Sequence, residues 1–143
     1  MTNRSVPADI VLPHIVYEDV DLASRWLALH FGFVEHYRYG APDNPSGAQM
    51  RFGHAVFMLR STRAGCTTPA LSGFYTQSLT VFVDDVDAHY ARARKEGAKI
   101  VEELHETEYG ERQYGVVDYD GHHWLFSRHA RDVDPTEWGA IMA

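Results

Sequence analysis

The chain is poor in several things that would otherwise direct its reading. It has a single cysteine, Cys66, in 143 residues. That excludes an intrachain disulfide and suits a reducing, cytoplasmic compartment. Cys66 sits in a polar loop with no charged partner to lower its pKa, so it is a poor nucleophile. Basic side chains are scarce too: 13 Lys and Arg against 20 Asp and Glu leave a net charge of −7. A nucleic-acid surface needs clustered cations, and the balance argues against one. No apolar run is long enough to cross a bilayer, and the opening residues lack the apolar stretch of a signal peptide. A membrane partner is therefore not expected.

What is present is globular. Apolar residues make up 45% and charged residues 23% of a length suited to one domain with a core of its own.

Taken in order, Ile10–Tyr17 reads as a strand, with Pro13 pointing to an edge or irregular position. Asp19 or Asp21 offers an N-cap, and Leu22, Trp26 and Leu29 recur at helical spacing until Gly32 stops the helix. Phe33–Tyr39 is a strand, residues 40–47 a turn, and Ala48–Phe52 with His54–Arg60 a hairpin about Gly53. Residues 61–77 are rich in Gly, Pro, Ser and Thr and read as a connector. The pattern then restarts. Ser78–Val83 is a strand, and Asp85 caps a helix with Val86, His89, Tyr90 and Ala93 on one side, ended by Gly97. Strands follow at Ile100–Leu104 and Gln113–Val117, and again from His122. The last two are joined by the Asp118-Tyr119-Asp120-Gly121 turn.

The restart is also visible residue by residue. Glu18-Asp19-Val20-Asp21 matches Asp84-Asp85-Val86-Asp87, and the two helix-ending glycines follow at similar distances. Two copies of strand–helix–strand–strand–strand mean two paired modules, since a solenoid needs at least three stacking units. The boundaries are about 8–60 and 78–128, with a tail at 129–143, all in one domain. Each module's helix covers only part of its sheet, so pairing is expected to bury the remainder.

With 81–101 (VFVDDVDAHYARARKEGAKIV) and 109–126 (YGERQYGVVDYDGHHWLF) as its sharpest parts, the chain resembles the vicinal oxygen chelate superfamily. That superfamily includes glyoxalase I, the bleomycin and fosfomycin resistance proteins and extradiol dioxygenases. The resemblance runs from about Ile10 to Arg128. It implies an α+β fold of paired βαβββ modules forming a cup-shaped mixed sheet, commonly as a homodimer. In the family's metalloenzymes, four inward positions hold a divalent metal. Laid onto this chain they fall at Leu12, Met58, Ser78 and Leu125, none of which is a good ligand. No cofactor is expected; a divalent metal on relocated ligands is the alternative.

Strand alternation then suggests what else lines the cup. His14 follows from Leu12, and His54 and Arg60 from Met58. Thr80 and Phe82 follow from Ser78, and His123 and Ser127 from Leu125. Arg112 and Tyr114 are placed on the cup side of their strand. Arg112 could clamp a carboxylate, or pair with Glu111, Asp118 or Asp120 to hold its loop. Trp124 and Phe126 alternate outward as core anchors. Asp118 and Asp120 read as turn formers, and His122 and His89 lie outside the cup. The expected ligand contacts are thus His14, His54, Met58, Thr80, Phe82, Arg112, Tyr114 and His123. A displaced metal site from His14, His54 and His123 would require three different strands to converge.

The resulting expectation is a metal-free protein that binds a small apolar or aromatic organic molecule, as the bleomycin-resistance branch does by sequestration. The alternatives are two. One is a lyase, isomerase or dioxygenase using relocated metal ligands, or His14 or His123 as general base. The other is an interaction scaffold with a filled cup. The sequence leaves open where Trp138 in the tail docks.

Overall fold

We describe a computed structural model of the chain, covering Val6 and residues 10–143. The strand order within it is that of two βαβββ modules, each a four-stranded mixed sheet, and the protein is α+β. Contacts divide the described residues into two compact units, parted between Phe74 and Tyr75.

Module one contains β1 (His14–Tyr17), α1 (Val20–Phe31), β2 (Val34–Ala41), β3 (Asn44–Phe52) and β4 (Ala55–Ser61). Its sheet runs β1-β4-β3-β2, with β1 parallel to β4 and the other pairs antiparallel. The strand expected from Ile10 begins only at His14; residues 11–13 have no regular structure, and Ile10 is exposed. Pro13 explains the delay, because it has no N–H to give a sheet ladder. The Asp19 carboxylate caps α1 by accepting from Leu22 N at 3.0 Å, and Gly32 ends it in the left-handed region at φ 79°.

The helix buries Val20, Ala23, Ser24, Leu27, His30 and Phe31, at intervals of three and four. That is not the Leu22, Trp26 and Leu29 stripe expected from the sequence. Leu22 and Leu29 are exposed, and Trp26 is half-buried over His30, with ring centroids 3.8 Å apart. The apolar spacing of α1 fits two overlapping stripes, and the sheet selects the one led by Val20 and Leu27. The turn expected over 40–47 is also shorter than predicted, because β3 already starts at Asn44.

A short helix, α2 (Pro69–Ser72), lies in the connector. Module two repeats the plan with β5 (Ser78–Phe82), α3 (Val86–Lys95), β6 (Lys99–Glu106), β7 (Glu111–Val117) and β8 (His123–His129), in the order β5-β8-β7-β6. Asp85 caps α3 through Ala88 N at 3.0 Å. The β7–β8 turn is built on Asp118, whose Oδ1 accepts from Asp120 N and His122 N while Oδ2 accepts from Trp124 Nε1 at 3.0 Å. One carboxylate therefore shapes the turn and fixes the largest core side chain of the module.

The tail docks on its own module. Ala130 N and Arg131 N both donate to Gly110 O, at 2.8 and 3.0 Å. Gly110 has φ 88°, and an added Cβ would lie 2.2 Å from Arg131 O, so both backbone angle and space demand glycine there. Pro135–Trp138 form a 3-10 turn, and the Trp138 ring meets Tyr109 edge-on at 5.9 Å.

Candidate functional site

Each sheet has one face covered by its own helix and one face turned away from it, and the ladder register assigns every strand residue to one or the other. In module two, Trp124, Phe126, Tyr114 and Val116 are buried on the α3 face. Expectation and structure agree here for Trp124 and Phe126. They differ for Tyr114 and Arg112.

Tyr114 pairs directly with Phe126 across the β7–β8 ladder, so it must share Phe126's face. Its hydroxyl lies 2.6 Å from His89 Nδ1 on α3, and burial pushes its pKa up. Arg112 has the same parity and makes a two-pronged ion pair with Asp87 on α3, at 2.8 and 3.1 Å. The Arg112 guanidinium holds Asp87 below the usual carboxylate range. Neither residue is on the open face, and Arg112's partner is none of the three acidic residues expected.

The open face of module two carries Ser78, Thr80 and Phe82 from β5, paired with His123, Leu125 and Ser127 from β8. Beyond Leu125 in the same row come Gly115 and then Glu102. Gly115 has no need of glycine for its backbone angle. Its missing side chain leaves space: an added Cβ would sit 2.9 Å from Glu102 Cβ and 3.3 Å from Leu125 Cδ2. The result is a recess of about 370 Å³ lined by Tyr75, Ser78, Val101, Glu102, Gly115, His123, Trp124 and Leu125.

Two features give this recess its character. The Tyr75 ring lies on the His123 imidazole, with centroids 3.5 Å apart and planes 19° from parallel. Loss of solvent around His123 lowers its pKa, with Asp118 opposing the shift, so the neutral imidazole is favoured at neutral pH. At the other end, Glu102 accepts from Gln113 Nε2 at 2.9 Å and has His105 Nε2 at 3.6 Å. An aromatic plate, an aliphatic floor and one carboxylate suit a flat organic molecule. Thr80 and Phe82 extend the same face, and Phe82 is 65% exposed.

In module one the equivalent row is His14, Met58, Gln49 and Tyr37. Where module two has Gly115, module one has Gln49, which is fully buried. Gln49 Nε2 reaches Met58 Sδ at 3.6 Å, and its Oε1 lies 2.7 Å from His36 Nδ1. The space left open in one module is filled by an amide in the other. Met58 is buried and His14 exposed on this open face. His54 is not on a strand at all. It lies in the Gly53 turn, exposed, beside a cleft of about 540 Å³ lined by Ile10, Val11, Pro13, His54, Ala55 and Val56.

The four positions at which the family's metalloenzymes hold their metal can now be tested against the register. Leu12 precedes β1, and it is His14 that stands opposite Met58. In module two His123 stands opposite Ser78, and Thr80 opposite Leu125. Module one thus presents an imidazole beside a thioether, and module two an imidazole beside a hydroxyl and a hydrocarbon. Neither set suits a divalent cation, which asks for several imidazole or carboxylate donors on one centre. Among the described residues no group of three or more His, Cys, Asp or Glu could hold a metal ion.

Sequence reasoning missed Tyr75, Val101, Glu102 and Gly115. Gly115 carried a usable signal, since a glycine inside a strand marks a close approach or a gap. Tyr75 carried none, because it precedes β5 in the connector.

A duplicated βαβββ unit with an open sheet face in each copy defines the class of small α+β proteins to which the chain belongs by fold. The sequence matches the model of the Glyoxalase/Bleomycin resistance protein/Dioxygenase superfamily over residues 10–126, and the chain belongs to that superfamily. It is 33% identical over 138 residues to the uncharacterized protein Mb0911c of Mycobacterium bovis, covering 92% of this chain and 90% of that one. The uncharacterized protein Rv0887c of Mycobacterium tuberculosis matches at the same identity, with 92% and 81% covered. Among solved structures, TioX from Micromonospora sp. ML1 is 34% identical with a TM-score of 0.73, covering 85% of this chain and 99% of that one. The fosfomycin resistance protein FosX from Listeria monocytogenes has a TM-score of 0.61 at 12% identity, covering 85% and 93%, a likeness of fold alone. Among the described residues no helix is long and apolar enough to cross a membrane.

Proposed function

We propose that the protein binds a small, flat, apolar or aromatic organic molecule on the open face of module two, and does so without a metal. The observation that carries this reading is the Tyr75–His123 stack beside the glycine-floored recess. A planar ligand inserted there gains offset stacking on a rigid aromatic pair, worth about 0.5–1.5 kcal/mol beyond its buried area. Thr80 and Phe82 continue the contact surface, and Glu102 offers an acceptor to a ligand hydroxyl or N–H. The donor sets at the family's metal positions support the metal-free part. On the same reading the protein is a cytoplasmic homodimer with no nucleic-acid partner. Light scattering on the purified protein tests the dimer.

The test of binding is a titration with 2-naphthol, followed through the NMR signals of the Tyr75 and His123 rings. Saturable shifts of both are expected. Unchanged rings up to the solubility limit of the probe, or stoichiometric zinc, nickel, iron or manganese in extensively washed protein, would refute the proposal.

A second reading has its own observation. His123, favoured as the neutral imidazole, lines the recess, so it could take and hold a proton from a substrate bound there. The protein would then be a metal-free enzyme of the superfamily, with His123 as general base. Turnover that survives chelation and vanishes in His123→Ala favours this reading over sequestration.

A further inference from the structure

We propose that the open face of module one is a subsite for an oxyanion, with Arg60 and His14 as donors to the carboxylate of an organic acid. The proposal rests on the small-molecule reading only in taking the ligand to be organic. It concerns the other module and other residues.

The chain carries 20 acidic and 13 basic side chains, so an arginine has carboxylates in excess to choose from. Four arginines find one: Arg25 pairs with Asp21, Arg38 with Asp21 and Glu35, Arg94 with Glu103, and Arg112 with Asp87. Arg60, like Arg51, Arg63, Arg128 and Arg131, makes no such pair among the described residues. Among the described residues its polar side-chain contact is His14, with Nη1 3.5 Å from Nδ1, and no Asp or Glu oxygen lies within 4.0 Å.

The register shows why no carboxylate is at hand. The row containing Arg60 runs Val16, Arg60, Gly47 and Tyr39, and the next runs His14, Met58, Gln49 and Tyr37. Arg51, with Val56 and Val34, forms the third. These rows hold no Asp or Glu. Glu35, the acid of β2, lies on the helix face, where it accepts from Ser24 Oγ and from Arg38. Among the described residues these three rows carry Arg51, Arg60 and His14, with His36 at their rim, so an anion arriving there meets cationic and N–H donors and no carboxylate of the same rows.

Arg60 is also held for use. It is half-buried between Val16 and Gly47, and an added Cβ on Gly47 would lie 2.1 Å from the Tyr39 ring, so that ring closes over the neighbouring strand. With Nη1 donating to His14 Nδ1, the His14 proton sits on Nε2, which becomes a second donor beside the guanidinium. A planar fork and an adjacent N–H match the two oxygens and lone pairs of a carboxylate. A half-buried guanidinium without a counter-charge gains from an incoming anion much of what the four paired arginines gain from their own acids.

The test uses benzoate and its uncharged analogue benzamide on the intact chain, read by the NMR signals of Arg60 Nε–H and His14 Cε1–H. Benzoate is expected to shift both saturably, less strongly as NaCl is added, and benzamide to leave them in place. Arg60→Gln should weaken benzoate by about tenfold to a hundredfold. Arg60→Lys keeps the charge but loses the fork, and should fall between. Benzoate that leaves both signals unmoved, benzamide that moves them equally, or Arg60→Gln that binds benzoate as the parent does, would each overturn the proposal. The naphthol titration reads Tyr75 and His123 in the other module, so failure of the two proposals can be told apart.

Discussion

The Tyr75 ring lies 3.5 Å from the His123 imidazole, centroid to centroid and nearly parallel, at the mouth of the recess in module two. Tyr75 is 52% exposed and precedes its strand, so little of its area contributes to the core. Tyr75→Ala should therefore leave the urea midpoint within about 0.5 kcal/mol of the parent, while weakening 2-naphthol by roughly threefold to tenfold through loss of stacking. Equal losses of stability and binding would show that the stack is structural.

Gly115 makes the recess by having no side chain. Gly115→Ala puts a methyl against Glu102 Cβ and Leu125 Cδ2 from a backbone that accepts any residue. The expected cost in stability is about 1–3 kcal/mol, typical of overpacking. 2-Naphthol binding should be reduced to a level below detection in protein that circular dichroism shows to be folded.

Tyr114 and His89 test the assignment of faces. Tyr114→Phe removes a buried hydroxyl from His89 Nδ1 and should cost about 0.5–1.5 kcal/mol by urea denaturation. Because Tyr114 faces α3, its substitution should leave the affinities for 2-naphthol and benzoate unchanged. A selective loss of binding at full stability would place Tyr114 in a ligand site after all.

Asp118 is the hinge of the β7–β8 turn. Asp118→Ala strips an acceptor from two backbone N–H groups and from the buried Trp124 indole. A loss of roughly 2–4 kcal/mol is expected, with the Trp124 fluorescence maximum moved to longer wavelength.

Two histidines of module two should titrate on opposite sides of the ordinary imidazole value of about 6.5. Desolvation lowers His123, so its contribution to stability is present above that value and lost as pH falls through the folded pKa. Asp132, and after it Glu111, raise His129, so its contribution is full below the ordinary value and lost as pH rises through the folded pKa. Proton NMR of the two Cε1–H signals checks both directions. In thermal melts, His123→Ala should flatten the acid side of the profile and His129→Ala the side above neutrality.

Much of this molecule was legible in the chain. The matched Glu18–Asp21 and Asp84–Asp87 segments disclosed the duplication, because each helix needs an acidic cap in the same place. The Asp120-Gly121 turn correctly sent Trp124 and Phe126 into the core. The same turn pairs Val117 with His123, and hence Tyr114 with Phe126, so the true face of Tyr114 was available from hairpin arithmetic. Hydropathy hid it: β7 shows Tyr and Val on its covered face and Gly, Gln and Val on the open one, and apolar content does not separate the two.

Other matters only the tertiary structure decided. Which of two apolar stripes on α1 is buried depends on the sheet beneath it, not on the helix's own spacing. Arg112 pairs with Asp87 because α3 crosses β7, a neighbour that sequence distance conceals. Tyr75 joins the site by stacking on His123 of a neighbouring parallel strand, from a segment with no periodicity to read. The sequence by itself determined the modules, the caps and the hairpin, since these follow from local chemistry and alternation. The two open faces, one with the Tyr75–His123 stack and the other with Arg60 beside His14, arise from long-range pairing of strands, which no local pattern encodes.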